Sequence, residues 1–451
     1  MNESLQNFSQ ADNEKLVSLF AAAIKQQRKL NPAIEAEKIL KKEELIFVKQ
    51  HFLRYHEGCY KILDDCELNA LLKDYLGKKY STHTRDQVKA NLEADCLEDY
   101  ESLNKHDGFL NCTNGMLEIR TGKLLKYSPE YLSTQQIAAD YKPGADCPRF
   151  KKFLSYVLYD DLSKIEPLQE YFGYALTNSC REEKMLFLVG ERGAVGGMNG
   201  KSVTLDCLEG LLGRDNVSAL SLRQIGNDHY TPQLLFKMLN RSTENDTQKM
   251  NEAVLKIHTS GEPVEADKKF KDPFRFSNTA KFAFCINNLP HVSDKTDSFY
   301  RRLLLIPFNR KITNEERNKN LAKQIISEDL SGILNWALEG LMRLESQNGF
   351  SVSRQVSEAL ESYRRENNSA LNFIHQSCVL EVNAEITKRQ LYEAYGEFCK
   401  QRGVLKLGEI KFGKQVRSYC GVVEGKDNLG NHCWKGLKLS EQYINEQLQT
   451  L

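Results

Sequence analysis

The sequence predicts an α/β protein with a mainly helical N-terminal domain, a core built around a phosphate-binding loop, and a C-terminal module of two helices and a hairpin. Three stretches carry this expectation. Met185 to Val189 is an apolar run that reads as a buried strand; a glycine-rich loop follows; Gly200-Lys201-Ser202 then opens a segment with Val203, Leu205, Leu208, Leu211 and Leu212 at helical spacing, stopped by Gly213. The first hundred residues have charged faces and few breakers, with Asn31-Pro32 as an early boundary. The last seventy change character, with helical periodicity over Lys388 to Gly403 and Gly408 to Tyr419 and a turn-rich hairpin over Val422 to Leu439.

Strand, loop and helix in that order are the context of a P-loop. Glycines let backbone N–H groups turn inward around phosphate oxygens, and the helix N-terminus adds the positive end of its dipole. Lys201 is expected at the β- and γ-phosphates of ATP and Ser202 on Mg²⁺, with Gly196, Gly197, Asn199 and Gly200 shaping the loop. One departure stands out: the usual spacing puts a glycine where Val195 lies, and glycines occur instead at Gly190, Gly193, Gly196 and Gly197, so the loop is longer than the pattern.

The bulk numbers bound the rest. A chain of 451 residues suggests about three domains. The net charge of +1 gives no global attraction to nucleic acid, so DNA contacts must come from local patches. No apolar run approaches a membrane span, and the start Met-Asn-Glu-Ser-Leu-Gln has no signal-peptide pattern, so a cytoplasmic protein with no membrane partner is expected. The 12 cysteines are scattered without a Cys-x-x-Cys pair, and free thiols are expected.

Along the chain, Asp107 to Leu124 alternates short apolar strands with the turn signals Asn114-Gly115 and Thr121-Gly122, which reads as a β-meander; Tyr141 to Phe150 reads as a linker, and residues 150–180 as helical. After the P-loop helix, Leu-Leu-Phe-Lys-Met-Leu-Asn reads as a strand that leads into Glu244 and Asp246. Such an acidic pair suits a Walker B site: Glu244 helps hold Mg²⁺ and the second carboxylate polarises the attacking water. Lys268, Lys269 and Lys271 surround Phe270 before Asp272-Pro273, a hairpin tip that offers cations to a phosphate backbone and a ring to stack. Phe282 to Ile286 is a buried strand ending at Asn287, placed to sense the γ-phosphate, and Arg301-Arg302 precedes the apolar strand Leu303 to Phe308, where an arginine finger would sit. Residues 314–347 and 353–378 are helical by periodicity. In the C-terminal part, Ile410, Phe412 and Val416 are candidate core positions, and Lys411, Lys414 and Arg417 share the second helix. From Ala384 to Leu439 there are 11 Lys or Arg against 6 Asp or Glu, a surplus of +5 that suits a DNA-binding winged helix.

The order Gly-Lys-Ser, Ser-Thr-Glu-Asn-Asp, Ala-Asp-Lys-Lys-Phe-Lys-Asp-Pro-Phe, Ile-Asn-Asn-Leu-Pro and Phe-Tyr-Arg-Arg-Leu-Leu-Leu-Ile-Pro-Phe resembles the phage/plasmid and poxvirus-type superfamily III helicases over roughly residues 60–440. The resemblance implies an AAA+ core, a homo-hexameric ring, ATP hydrolysis at subunit interfaces and 3′ to 5′ movement on single-stranded DNA. It also implies a replication initiator of a mobile element such as a phage satellite or pathogenicity island, which acts at a double-stranded origin with host primase and polymerase. Carried over residue by residue, Lys201 and Ser202 bind nucleotide, Glu244 and Asp246 are the acidic pair, Lys268, Lys269 and Phe270 lie on the pore hairpin, Asn287 is the sensor, and Arg301 or Arg302 is the finger. Many relatives carry a primase; residues before 100 show no paired-carboxylate and His motif for one, so helicase without priming is expected. The organisation follows: 1–105 helical, 106–150 a small β-rich segment and linker, 151–345 the ATPase core, 346–383 a helical connector and 384–451 the winged helix. Two other functions fit parts of the pattern. One is an origin-binding initiator that melts DNA without processive unwinding. The other is a P-loop transcription regulator that uses the winged helix alone, against which the lysine-rich hairpin and Arg301-Arg302 count.

Overall fold

The structure is a computed structural model that describes residues 30–105, 108–190, 198–243, 250–267, 272–287, 289–290, 292, 297–419 and 421–449, with side chains described to residue 445. The chain divides into two compact units, Met1–Tyr141 and Lys142–Leu451.

The first unit opens with helix α1 (Pro32–Leu40), whose N-cap Asn31 accepts from the Ala33 N–H at 3.1 Å. A three-stranded antiparallel sheet follows, β1 (Leu45–Val48), β2 (His51–His56) and β3 (Cys59–Leu63), where a helical reading was expected. The reason is turn chemistry. Lys49 and Gln50 have φ of 45° and 65°, and Glu57 and Gly58 have 48° and 91°, so each link is a two-residue turn with both residues left-handed. That geometry matches the twist of the flanking strands. Helices α2 (Asp65–Leu76) and α3 (Thr82–Asp95) complete the expected helical content, the first through a reciprocal capping box between Asp64 and Glu67. Ala36, Ile39, Leu45, Phe52, Leu68, Leu72 and Leu92 form the core. The meander is present as β4 (Phe109–Cys112), β5 (Gly115–Glu118) and β6 (Lys123–Leu125).

The second unit begins with helices α4 (Pro148–Leu158) and α5 (Leu162–Ala175). Its centre is an all-parallel sheet of β7 (Met185–Gly190), β8 (Val217–Ser218), β9 (Leu239–Ser242), β12 (Lys281–Ile286) and β13 (Leu303–Phe308), in the order β13-β7-β12-β9-β8. Met185, Leu186, Phe187 and Leu188 are at most 1% exposed, as expected of a strand covered on both faces. The connecting helices are α6 (Lys201–Leu212), α7 (Glu252–Ser260) and the long α8 (Leu321–Gln347). The strand expected over 234–240 is shorter: Thr231–Leu234 is a 3₁₀ turn, Phe236 has φ of 60°, and β9 starts at Leu239. The hairpin β10 (Pro263–Ala266) and β11 (Phe274–Ser277) flanks the predicted lysine-rich tip. Helix α9 (Arg354–Glu366) then leads to the C-terminal body.

That body starts before the expected boundary at residue 384. Helix α10 (Ser369–Ser377) supplies Phe373 and Ile374 to its core, and β14 (Cys378–Thr387) pairs with the last strand. Helices α11 (Lys388–Arg402) and α12 (Glu409–Arg417) and strands β15 (Val423–Lys426) and β16 (His432–Leu439) fall where the periodicity put them, and α13 (Glu441–Gln449) closes the chain. The Tyr395 and Phe412 rings stack at 4.4 Å within a core that includes Trp434. Phe412 and Val416 are buried as expected. Ile410 is not a core residue: it lies on the outward face of α12, 80% exposed.

No helix among the described residues is long and apolar enough to cross a membrane. Eleven cysteines are described, and all are free.

Candidate functional site

In a parallel α/β sheet the crevice lies beyond the carboxyl ends of the strands, where the strand order reverses. Here β7 lies between β12 and β13, although it precedes both, and its carboxyl end carries Gly190 and the glycine-rich loop. Residues 191–197, and with them Gly196 and Gly197, lie outside the described residues. On the far side of the loop the Ile312 N–H donates to the Met198 carbonyl at 2.8 Å, and Asn199, buried, donates through Nδ2 to the Phe308 carbonyl at 3.2 Å. Gly200 is the N-cap of α6 with φ of 90°; a Cβ there would lie 2.7 Å from Val157 Cγ1, so both backbone and space call for glycine.

Lys201 is the first residue of α6 and only 6% exposed. Its Nζ donates to Asn199 Oδ1 at 2.9 Å and to Asn287 Oδ1 at 2.8 Å. Asn287 stands at the carboxyl end of β12, so the sheet brings together a lysine and an asparagine 86 residues apart. Burial pushes the ammonium pKa down, and among the described residues no carboxylate compensates it. A buried cation held only by neutral amide oxygens at a helix N-terminus can accept an anion in their place. Gly190 makes room for it: a Cβ there would lie 2.6 Å from Asn287 Oδ1 and 2.7 Å from Asn199 Nδ2, and closer still to Lys201 Nζ.

Beside this cradle runs a cleft of about 580 Å³ whose apolar wall is Phe153, Tyr156, Val157, Met198 and Ile312, with exposed Ser202 at its edge. Tyr156 is fixed: Arg310 lies 3.6 Å over its ring, and its hydroxyl donates to Glu316 at 2.7 Å. An apolar wall of this kind beside a buried cation can take a planar apolar group.

Glu244 and Asp246 follow β9 in sequence and lie outside the described residues, as do Lys268, Lys269, Phe270 and Lys271. The strand that leads to the acidic pair is tied to α6 by Arg241, which reaches Asp206 and Glu209, each at 2.7 Å.

Arg301 and Arg302 precede β13 and therefore stand at the amino edge of the sheet, the edge opposite Lys201. Their surroundings differ. The Arg302 side chain is 8% exposed and donates to Ser260 Oγ at 2.8 Å and to the Ser298 carbonyl; that of Arg301 is 56% exposed. Both pair with Glu183.

On α12, Lys411 and Lys414 are exposed. Arg417 points to the hairpin instead and pairs with Glu424 at 2.6 Å, as does Lys388 at 2.9 Å; these two cations hold the Glu424 carboxyl down at about 2. Among the described residues, the basic face predicted from Lys411, Lys414 and Arg417 thus keeps two charges without an ion-pair partner and one neutralised. Glu183, Arg241 and Glu424 were not singled out from sequence, and Gly190 was named only as one glycine of the extended loop. Only Gly190 carried a signal, a glycine that closes a buried strand.

Comparison with known proteins agrees with this architecture. The D5 N-terminal-like family matches residues 21–158, a family of unknown function (DUF5906) residues 192–302, and the poxvirus D5 protein-like family residues 365–447. A protein of Acanthamoeba polyphaga mimivirus named as a putative helicase is 24% identical over 353 residues, 70% of this chain; the chain spans only about a third of that relative, 35%. The apo structure of the NrS-1 C-terminal region has a similar fold at 11% identity, with a TM-score of 0.52 over 91% of this chain and 100% of that one. The two ends of the chain thus match D5-type family models, and its length between them is similar to a putative viral helicase.

Proposed function

We propose that this chain is an ATP-hydrolysing DNA helicase with a P-loop AAA+ core and a C-terminal winged helix. The observation that carries the proposal is Lys201, a buried cation without a carboxylate partner among the described residues, aimed at the carboxyl edge of a parallel sheet. Triphosphate oxygens would replace the two amide oxygens on its Nζ, and the α6 N-terminus adds its dipole. Ser202, one residue on, would hold Mg²⁺ with help from Glu244, and the metal would offset charge on the leaving phosphates. Asn287 is in reach of the same phosphates through Lys201, which suits a residue that orients the attacking water; Asp246 is the general base of this proposal. The slot lined by Phe153 and Tyr156 would take the nucleoside.

The finger in this proposal is Arg301. A strand of six residues spans about 20 Å, so the amino edge is out of reach of the chain's own Lys201. An exposed guanidinium there serves a neighbouring subunit, which is the arrangement of a ring. Arg302 is buried and anchors the same turn. The hexamer, its 3′ to 5′ polarity and its work in mobile-element replication belong to the proposal through the family resemblance, as do Lys268, Lys269, Phe270 and Lys271 as contacts to single-stranded DNA and Lys411 and Lys414 as contacts to duplex.

Lys201→Ala tests the core of the reading. Hydrolysis of ATP should fall at least a hundredfold, and nucleotide should no longer raise the melting temperature, with the fold intact by circular dichroism. Near-normal turnover removes the premise. Strand displacement on a tailed duplex by the pure protein separates unwinding from origin melting alone.

A further inference from the structure

Glu183 lies in the turn before β7 and has φ of 51°. For a residue with a side chain this backbone is unfavourable and persists where its surroundings fix it. What fixes it is the start of β13. The Met185 N–H donates to the Arg302 carbonyl at 2.7 Å, and Lys184 Nζ donates to the Arg301 carbonyl. The carboxylate then meets two guanidiniums through one oxygen: Oε2 is 3.0 Å from Arg302 Nη2 and also pairs with Arg301 Nη2. The two arginines share this partner unequally. Arg302 is buried, its pKa lowered by desolvation and by the neighbouring Arg301 and supported by Glu183. Arg301 faces solvent.

We infer that Glu183 is a positioning residue for Arg301, holding the exposed guanidinium at the sheet edge so that it can pass from the carboxylate to the triphosphate of a second copy of this chain. The inference rests on the reading of Arg301 as the finger. Its physical basis is the shared oxygen. When Arg301 leaves, Glu183 keeps Arg302, so no buried charge is left bare and departure is easy. When Arg301 returns, the carboxylate sets its direction. Without the carboxylate, Arg301 is left beside the like charge of Arg302 and turns away from the edge.

The experiment is a double-mutant cycle on the full chain. Glu183→Gln keeps the shape and removes the charge. Expected is a fall in kcat of roughly ten- to a hundredfold, the scale of misplacing a catalytic group by about an ångström, with nucleotide affinity of the dilute protein unchanged. In an Arg301→Ala background the same substitution should cost nothing further, because the group it positions is gone. Equal losses in both backgrounds overturn the inference and make Glu183 a structural partner of Arg302. Loss in Arg301→Ala with wild-type turnover in Glu183→Gln overturns the inference alone; normal turnover in Arg301→Ala overturns the finger assignment itself. Should Glu183→Gln melt below the assay temperature, Glu183→Asp, which keeps the charge but withdraws it by one methylene, carries the same cycle.

Discussion

Replacing Gly190 by alanine tests the cradle by adding one methyl group. The Gly190 backbone is outside the left-handed region, so alanine is conformationally acceptable, and the obstacle is what the new Cβ meets. It would lie 2.6 Å from Asn287 Oδ1 and 2.7 Å from Asn199 Nδ2, with Lys201 Nζ nearer still. Ordinary contact requires each of the three to retreat by roughly 1 Å. All are ends of side chains, so the sheet and α6 can stay in place, and the melting temperature should change by only a few degrees. The cradle cannot stay as it is. A displacement of about 1 Å costs on the order of a hundredfold in turnover, or about 2.7 kcal/mol of transition-state stabilisation. Steady-state ATP hydrolysis beside calorimetric melting reads both quantities. A variant that melts like the wild type and turns over within about twofold of it refutes the cradle.

Arg302→Ala should lower stability by about 3 kcal/mol, because it removes a buried partner of Glu183, whereas Arg301→Ala should lower it by less than about 1 kcal/mol; denaturant midpoints separate them. In mixing experiments Arg301→Ala subunits should poison wild-type turnover more than in proportion to their share, and a linear dilution counts against a shared interface site. Lys411→Ala or Lys414→Ala should each flatten the salt dependence of duplex binding by about one unit of slope, measured by fluorescence titration, while Arg417→Ala should change it less because Glu424 already neutralises that charge. His258 is buried, its Nδ1 has no hydrogen-bond partner among the described residues, and burial lowers its pKa from the usual 6.5 to about 4. Between these values the unfolded chain takes a proton that the folded one refuses. Stability should therefore fall by about 3 kcal/mol as pH drops through that window and level off below it. Denaturant unfolding of His258→Met at pH 7 and pH 4.5 should show that part of the loss abolished.

The readable parts of this fold are those where one local signal decides. A double-sided apolar strand, a glycine-rich loop and Gly-Lys-Ser fix β7 and α6 without help from the rest of the chain, and Thr387 and Gly403 bracket α11 as caps. The sheet of β1, β2 and β3 was hidden because Lys49-Gln50 adopts a left-handed turn that asparagine or glycine usually marks. Ile410 misled for another reason: periodicity assigns a face, and its place at the start of α12 puts it on the open one. Pairings across the chain, such as Lys201 with Asn287 or Arg417 with Glu424, depend on sheet order and hairpin placement, which no local pattern encodes.

Strand β7 has a consequence of its own. One end begins two residues after Glu183, beside Arg301, and the other ends at Gly190 under Lys201. Between them the strand is hydrogen-bonded on both edges, to β12 and β13, and buried at every residue but Val189, which is half-buried. Close-packed interiors compress little, so the strand behaves as a pushrod. On the proposed reading, a shift that phosphate binding imposes on one end would be delivered to the arginine at the other with little lost on the way. Each subunit would then announce its own occupancy to the next through six residues of backbone, and stiffness in this one strand would set how closely successive turnovers keep step.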